Sequence, residues 1–253
     1  MLTLAPVREG DRYRLDVPSG WRQGRGLYGG LVVGSLARAI EDGVGDPARR
    51  VRSLTSEIPG AVEPGPAEIS VEILRAGNSV TTARAALVQG GETRAHAVAI
   101  CAGGRGADAA WNEMVAPTAP DWRTIAPLPY RPPFPEFAQH FDYRIVEGVP
   151  GVGGAARTVG WVNAREPVAI RDAGFVAAMI DVWYPAVLPR IAMRPMATIA
   201  FTIDFLGEPG DGPWLYRGTA PVCGDGYFLE TRELWTASGQ LVALNHQTFA
   251  IIK

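Results

Sequence analysis

The sequence predicts an α+β protein in which one unit, an apolar helix followed by a run of antiparallel strands, occurs twice. Two predicted helices, near residues 30–42 and 171–187, contain runs at 31–37 and 175–180 that are apolar nearly all round, which is typical of helices buried on most sides. Each is followed by four segments with the alternating or β-branched pattern of strands. A stretch rich in proline separates the two halves. Helices packed on antiparallel strands define the fold class.

The elements of the first half begin with a short strand at residues 12–17. The helix follows at about 30–42, and four strands lie within residues 51–101. Turns at 76–78 and 90–91, rich in Gly and Asn, separate strands such as 68–74 and 80–88.

The second half repeats this order. Strands around 143–147 and 156–163 precede a helix at about 171–187, and four strands follow at 197–206, 214–220, 227–236 and 241–252. Between the halves, seven prolines lie within residues 117–135, where the missing N–H groups favour an extended connector. We therefore divide the chain into an N-terminal half (1–103), a proline-rich connector (104–140) and a C-terminal half (141–253).

Landmarks of the two halves recur at a nearly constant spacing, which predicts an internal duplication. The pairs are 144, 145, 148 and 151 positions apart: Gly30 and Gly174, Pro64 and Pro209, Gly91 and Gly239, Ala99 and Ala250.

Composition excludes several classes of protein. The chain of 253 residues has 24 basic and 26 acidic side chains, so it lacks the basic excess of a nucleic-acid binder. Its apolar runs are too short to cross a bilayer, and Arg8, Glu9 and Asp11 interrupt the start of the chain before a secretory signal could form. Two cysteines, Cys101 and Cys223, cannot build a disulfide framework. We therefore expect a cytoplasmic protein.

Several short motifs resemble those of the acyl-CoA thioesterase II proteins, within the thioesterase-like superfamily of double hot-dog proteins. The aromatic-Gly-Gly segment at 28–30 is similar to the start of the family's first helix, and residues 75–79 resemble its Arg-x-Gly-x-Ser turn. Segments 197–199 and 239–243, the latter leading to Gln247, look like its closing strands.

This resemblance implies a double hot-dog fold, with two tandem antiparallel sheets that each wrap one central helix. It also implies hydrolysis of acyl-CoA thioesters in a bacterial protein of lipid metabolism, without a metal or prosthetic group. Scattered surface arginines would bind the phosphates of CoA. By analogy with this fold, the exposed strand edges could pair two copies of the whole chain in a homodimer.

The start of the first helix is the candidate oxyanion hole. Its N–H groups lack partners within the helix, and glycine allows a carbonyl to approach closely. We assign Gly30 N–H as the oxyanion donor and place Tyr28 and Gly29 at the substrate. The alternative is that the two glycines only end a loop where the helix packs on the sheet.

Asp181 is the candidate acid, because a carboxylate within the apolar segment 179–183 is costly to bury without a partner. Family resemblance makes it a general base or nucleophile that faces the helix start of the other half. The repeat places Ala37 at the equivalent position, so only one of two sites would carry an acid. The alternative is an aspartate that reaches the surface at the edge of the apolar stripe.

Gln247 interrupts the last apolar strand, and the family uses a glutamine here to hold the attacking water. Alternation puts Asn245 and Gln247 on one face and His246 and Thr248 on the other. The alternative is that this polar pair faces solvent.

Other positions depart from the family pattern. Ala200 stands where acyl-CoA thioesterase II proteins have a catalytic Asp, and Leu31 replaces the glutamine at the start of the helix. Asp204 lies too far along its strand to substitute. The strand hydroxyl of the family has only Thr219 as a candidate, and Glu57 is a secondary acid. We therefore expect either Asp181 to carry the reaction or no residue to do so.

Other chemistries have less support in the sequence. There is no Gly-x-Ser-x-Gly motif of a serine hydrolase, and the three histidines have no spacing typical of a metal site. Two alternatives to a thioesterase stay open: a catalytically weak protein that binds acyl-CoA or acyl chains, and a hot-dog hydratase or dehydratase.

Overall fold

Two helices lie side by side within a single long sheet in the computed structural model, which describes residues 4–106 and 109–252. Residues 1–3 and 253, at the ends of the predicted halves, and 107–108, in the predicted connector, lie outside the described residues. In the first half the elements are β1 (Val7–Glu9), β2 (Arg12–Val17), β3 (Arg22–Gln23), β4 (Gly26–Leu27), α1 (Gly29–Val44), β5 (Arg50–Glu57), β6 (Gly65–Ala76), β7 (Val80–Gln89) and β8 (Glu92–Ala102).

The second half has the same order. Its elements are β9 (Phe141–Glu147), β10 (Arg157–Ala164), α2 (Ala173–Asp181), β11 (Met196–Phe205), β12 (Trp214–Gly224), β13 (Tyr227–Thr236) and β14 (Leu241–Ile251). The predicted strands and both helices are therefore present. Helix α2 is shorter than the predicted 171–187: Pro185 has no N–H and disfavours helix in the residue before it.

The sheet is continuous, with the strand order β1-β2-β6-β7-β8-β5-β11-β14-β13-β12-β10-β9. The prediction of two separate sheets is wrong, because β5 and β11 pair directly, with Thr55 opposite Thr202. A strand edge left open at the end of each half exposes unpaired backbone groups, and pairing the two edges satisfies them.

Irregularities of the sheet repeat between the halves. The register shifts between Thr198 and Ala200 in the second half and between Val51 and Ser53 in the first, which are 147 positions apart. Two further pairs of shifts match in the same way, Leu87/Val88 with Leu234/Trp235 and Ile73/Arg75 with Thr219/Val222. Bulges at equivalent places in both halves are expected of two copies of one unit, and they support the duplication.

The two helices pack antiparallel and very closely. A Cβ on Gly34 would lie 2.6 Å from the carbonyl oxygen of Gly174, and one on Gly174 would lie 2.7 Å from that of Gly34. Beyond this contact, Arg38 forms two hydrogen bonds of 2.8 Å with Asp172, whose carboxylate also caps the start of α2. The crossing therefore places the end of α2 beside the start of α1.

The connector packs against the protein rather than crossing solvent. It contains two short 3₁₀ helices, Trp122–Thr124 and Glu136–His140. Trp122 and Ile125 cover an apolar cluster on the outer face of the second half, which includes Leu215 and Trp235. Among the described residues, neither helix is long and apolar enough to span a membrane.

Candidate active site

Asp181 ends α2 and lies against the first turn of α1. It is only 5% exposed, so the alternative that it reaches the surface is wrong. Its Oδ2 atom lies 3.0 Å from the place where a Cβ on Gly29 would be, and the Gly30 N–H donates a hydrogen bond to the carboxylate. A negative charge is favoured at this end of a helix. The glycines therefore let the carboxylate approach the helix start directly.

Gln247 connects Asp181 to two more polar side chains. Its Nε2 donates to Oδ1 of Asp181 at 2.9 Å and to Oδ1 of Asn245 at 2.8 Å. Its Oε1 accepts a hydrogen bond from the hydroxyl of Thr198 at 2.8 Å. Both Gln247 and Asn245 are buried, as the alternation of β14 places them on the inner face. The alternative of a pair that faces solvent is wrong.

Thr198 was missed because a bulge changes its direction. Phe201 and Ile203 on β11 face the core, and simple alternation would turn residue 198 to the outer face. The register shift between Thr198 and Ala200 adds one residue and brings the Thr198 hydroxyl to Gln247. The matching bulge in β5, between Val51 and Ser53, would have indicated this change of direction, but the bulge can be seen only in the structure.

Arg232 is a second site residue that sequence reasoning missed. It is 1% exposed and donates to Oδ1 of Asp181 at 2.8 Å and to Oε1 of Glu230 at 2.8 Å. Glu230 is also fully buried, and its other oxygen accepts the Ala186 N–H at 2.8 Å. The sequence did contain a signal for this pair, because Glu230 and Arg232 lie two positions apart and so face the same side of β13. Arg232 thus links Asp181 and Glu230 in one buried hydrogen-bonded group.

Burial raises the pKa of the Asp181 carboxyl above its ordinary value. The positive charge of Arg232 and the hydrogen bonds from Gln247 and Gly30 lower the same pKa and so limit the rise. Burial likewise raises the pKa of Glu230, against the same arginine. A carboxylate whose pKa is raised in this way is a stronger base than an exposed aspartate.

The first turn of α1 distributes its N–H groups differently from the prediction. Gly30, predicted as the oxyanion donor, already bonds Asp181, while Leu31 and Val32 donate to the carbonyl of Tyr28 at 3.0 and 3.3 Å. Gly29 N–H makes only a long bond of 3.4 Å, to the side-chain oxygen of the exposed Gln23. The Gly29 N–H is therefore the donor in this turn that can most easily bond a substrate oxygen instead.

Two predicted substrate contacts have other roles. Tyr28 is fully buried, stacks on Phe137 at 4.1 Å and donates its hydroxyl to the Ala178 carbonyl, so it joins the two helices. Thr219 lies opposite Thr231 in the sheet register. Because Arg232 points inward, Thr231 and Thr219 point outward, away from Asp181.

The remaining candidate acids also lie apart from this group. Asp204 is exposed on β11, and Ala200 alternates with the inward Phe201. Glu57 is about half exposed and pairs with His96 at 3.2 Å. Of these candidate acids, Asp181 is the one that lies buried beside the start of α1.

Comparisons with known proteins agree with this architecture. The family model for the acyl-CoA thioesterase N-terminal domain matches residues 17–102, and that for the C-terminal domain matches residues 113–251. No curated protein sequence matches the chain significantly.

Solved structures share the fold over nearly the whole chain. A hot-dog fold protein from Alicyclobacillus acidocaldarius superposes with a TM-score of 0.88 at 22% identity, covering 99% of this chain and 97% of that one. The acyl-CoA thioesterase II TesB2 from Mycobacterium marinum gives 0.81 at 24% identity, with the same coverage of both chains. The tesB protein of Mycobacterium avium subs paratuberculosis gives 0.82 at 18% identity, also covering 99% and 97%. Two helices, a large antiparallel sheet and matches to both family domains lead to one conclusion: this chain belongs to the acyl-CoA thioesterase family, with the hot-dog fold.

Proposed function

We propose that the chain hydrolyses acyl-CoA thioesters to the free acid and CoA, with Asp181 as the general base. One observation carries the proposal: a buried carboxylate faces the start of α1 and is oriented by Arg232 and Gln247. Oδ1 of Asp181 accepts the hydrogen bonds from Arg232 and Gln247, whereas Oδ2 faces Gly29, so we assign Oδ2 as the oxygen that takes the proton.

The reaction then follows from this arrangement. Asp181 takes a proton from water as the water oxygen bonds to the thioester carbonyl carbon, and the carbonyl electrons move to its oxygen. The Gly29 N–H, released from Gln23, donates to that oxyanion. When the carbonyl re-forms, the carbon–sulfur bond breaks and the CoA thiolate takes up the proton held by Asp181. Thr198 fixes the side chain of Gln247, and Gln247 orients the carboxylate and the water.

The proposal is tested by Asp181→Asn, which keeps the shape of the side chain but removes the base. We expect kcat for a panel of acyl-CoAs to fall about 100-fold or more. Asp204→Asn, a change to an exposed carboxylate on β11, is the matched control and should leave kcat unchanged.

Two results would overturn the proposal. The first is an Asp181→Asn protein as active as the original. The second is an original protein that binds acyl-CoA without hydrolysing any member of the panel, as a catalytically weak binding protein would. A cytoplasmic location and a homodimer stay predictions.

A further inference from the structure

An apolar cleft with a volume of about 150 Å³ lies where α2 ends. One wall comes from the connector and includes Tyr130, Phe134 and Ala138, and the other comes from the segment after α2 and includes Val182 and Leu188. The lining is almost entirely aromatic, aliphatic or proline. It therefore suits a hydrocarbon group and offers few partners to a polar one.

The cleft adjoins the candidate active site at two points. Val182 directly follows Asp181, and its carbonyl accepts a hydrogen bond of 3.0 Å from Tyr143, which also lines the cleft. On the other side the lining includes Gln23, whose amide oxygen accepts the Gly29 N–H. A carbonyl that accepts the Gly29 N–H next to Asp181 therefore has the cleft beside it.

The connector wall is held in place before any ligand binds. Prolines at 129, 133 and 135 fix their own backbone angles, which limits the freedom of the segment. Phe137 stacks on Tyr28 with the ring planes 8° apart, which attaches this segment to the start of α1. A preformed wall lowers the entropy lost on binding.

We propose that this connector cleft binds the hydrocarbon part of the acyl group and makes the chain selective for acyl groups of about six carbons. The inference rests on the proposed function and adds its substrate class. An engineered apolar cavity of ~150 Å³ binds a molecule of the size of benzene, so a six-carbon group is the size that a cleft of this volume encloses. Two-carbon acyl groups leave the cleft unfilled, and chains well beyond six carbons extend out of it.

The first test measures kcat/KM for straight-chain acyl-CoAs from two to sixteen carbons. We expect a maximum near six carbons, at least tenfold above the values for acetyl-CoA and palmitoyl-CoA. Ala138→Phe, which fills the cleft, should lower the ratio of hexanoyl-CoA to acetyl-CoA activity at least tenfold. Ala126→Phe is the matched control, since Ala126 is an exposed connector residue outside the cleft, and it should leave the ratio unchanged.

A second variant keeps the test decisive if Ala138→Phe does not fold. Phe134→Ala only removes atoms from the lining, and it should move the maximum to longer chains. Equal kcat/KM from two to sixteen carbons, or a profile that neither cleft variant changes, would overturn the proposed role of the cleft. The proposed hydrolysis would still stand.

Binding separates the two proposals. S-hexyl-CoA, a thioether that cannot be hydrolysed, should bind at least tenfold more tightly than S-methyl-CoA by calorimetry, and Ala138→Phe should abolish the difference. This result without turnover of any acyl-CoA would support the cleft and reject the hydrolase. Equal binding of the two thioethers would reject the cleft.

Discussion

The two ends of the helix pair are equivalent by the repeat but differ in chemistry. One end carries Asp181 and its polar partners, and the sheet register places an apolar residue at every equivalent position of the other end. The pairs are Asp181 and Ala37, Thr198 and Val51, Glu230 and Ala83, Arg232 and Ala85, Gln247 and Ala99. The predicted pairing of Ala99 with Ala250 is wrong, because the register aligns Ala99 with Gln247, 148 positions away. All five counterparts are buried.

This difference indicates that the polar group works as a set. A buried carboxylate is tolerated at Asp181 because an arginine, a glutamine and a helix N–H bond it. At the other end the five equivalent positions hold only alanine or valine, so none of these hydrogen bonds can form there. The chain therefore offers one candidate site from two equivalent positions.

The largest expected effect comes from placing an acid at the apolar end. Ala37→Asp buries a carboxylate where Ala85 and Ala99 stand in place of Arg232 and Gln247, so we expect the free energy of unfolding to fall by about 3–5 kcal/mol. Urea denaturation measures this fall. Ala126→Asp, at an exposed position, should change stability by less than about 0.5 kcal/mol. A stable Ala37→Asp protein would show that the two ends differ less than their residues suggest.

A smaller effect is expected from Thr198→Val, which keeps the shape but removes the hydrogen bond to Gln247. Loss of one such bond costs about 1 kcal/mol, which corresponds to a fall in kcat of about fivefold. Steady-state hydrolysis of hexanoyl-CoA provides the measurement. Thr202→Val is the matched control, because Thr202 points to the opposite face of the same strand and bonds Thr55. Equal losses in both variants would contradict the assigned role of Thr198.

The smallest expected effect is a shift in the pH dependence. The pKa of Asp181 is raised by burial, so activity is present above that pKa and is lost as the pH falls through it, at a pH above the ordinary range of aspartate near 3.9. Gln247→Met removes a hydrogen bond that lowers this pKa. The acid limb of kcat/KM should therefore move to higher pH.

The control for the pH experiment is Gln240→Met, at an exposed position near the start of β14. It should leave the acid limb in place. A limb at the ordinary aspartate value in the original protein, or one that Gln247→Met moves downward, would reject Asp181 as the titrating base.

The same buried carboxyl also links pH to folding. A folded-state pKa above the unfolded value means that ionising Asp181 opposes folding, so its contribution favours the folded state more at low pH than at neutral pH.

Much of the fold followed from local pattern. Alternation and turn residues predicted the strand at 12–17 and the four strands after each helix, and the even spacing of glycine and proline predicted the repeat. Asp181 and Gln247 were identified because polar residues in apolar elements stand out. Such patterns depend on neighbours in the chain, and a single sequence contains them.

The missed residues depend on distant parts of the chain. Thr198 reaches the site only through a bulge, and alternation alone would turn it away. Arg232 belongs to the site because β13 packs beneath the end of α2, some fifty positions earlier in the chain. The change of the candidate oxyanion donor from Gly30 to Gly29 likewise depends on the position of Asp181 in the fold.

By itself, the sequence determined the α+β class, the repeated unit and the contrast between Asp181 on one helix and Ala37 at the equivalent position of the other, because side-chain periodicity records which face of each element is buried. Only the tertiary structure decided that the two halves share one sheet, that Arg232 and Glu230 surround Asp181, and that the connector forms a cleft beside it. These features arise from strand register and helix crossing, which bring together residues that no local pattern relates.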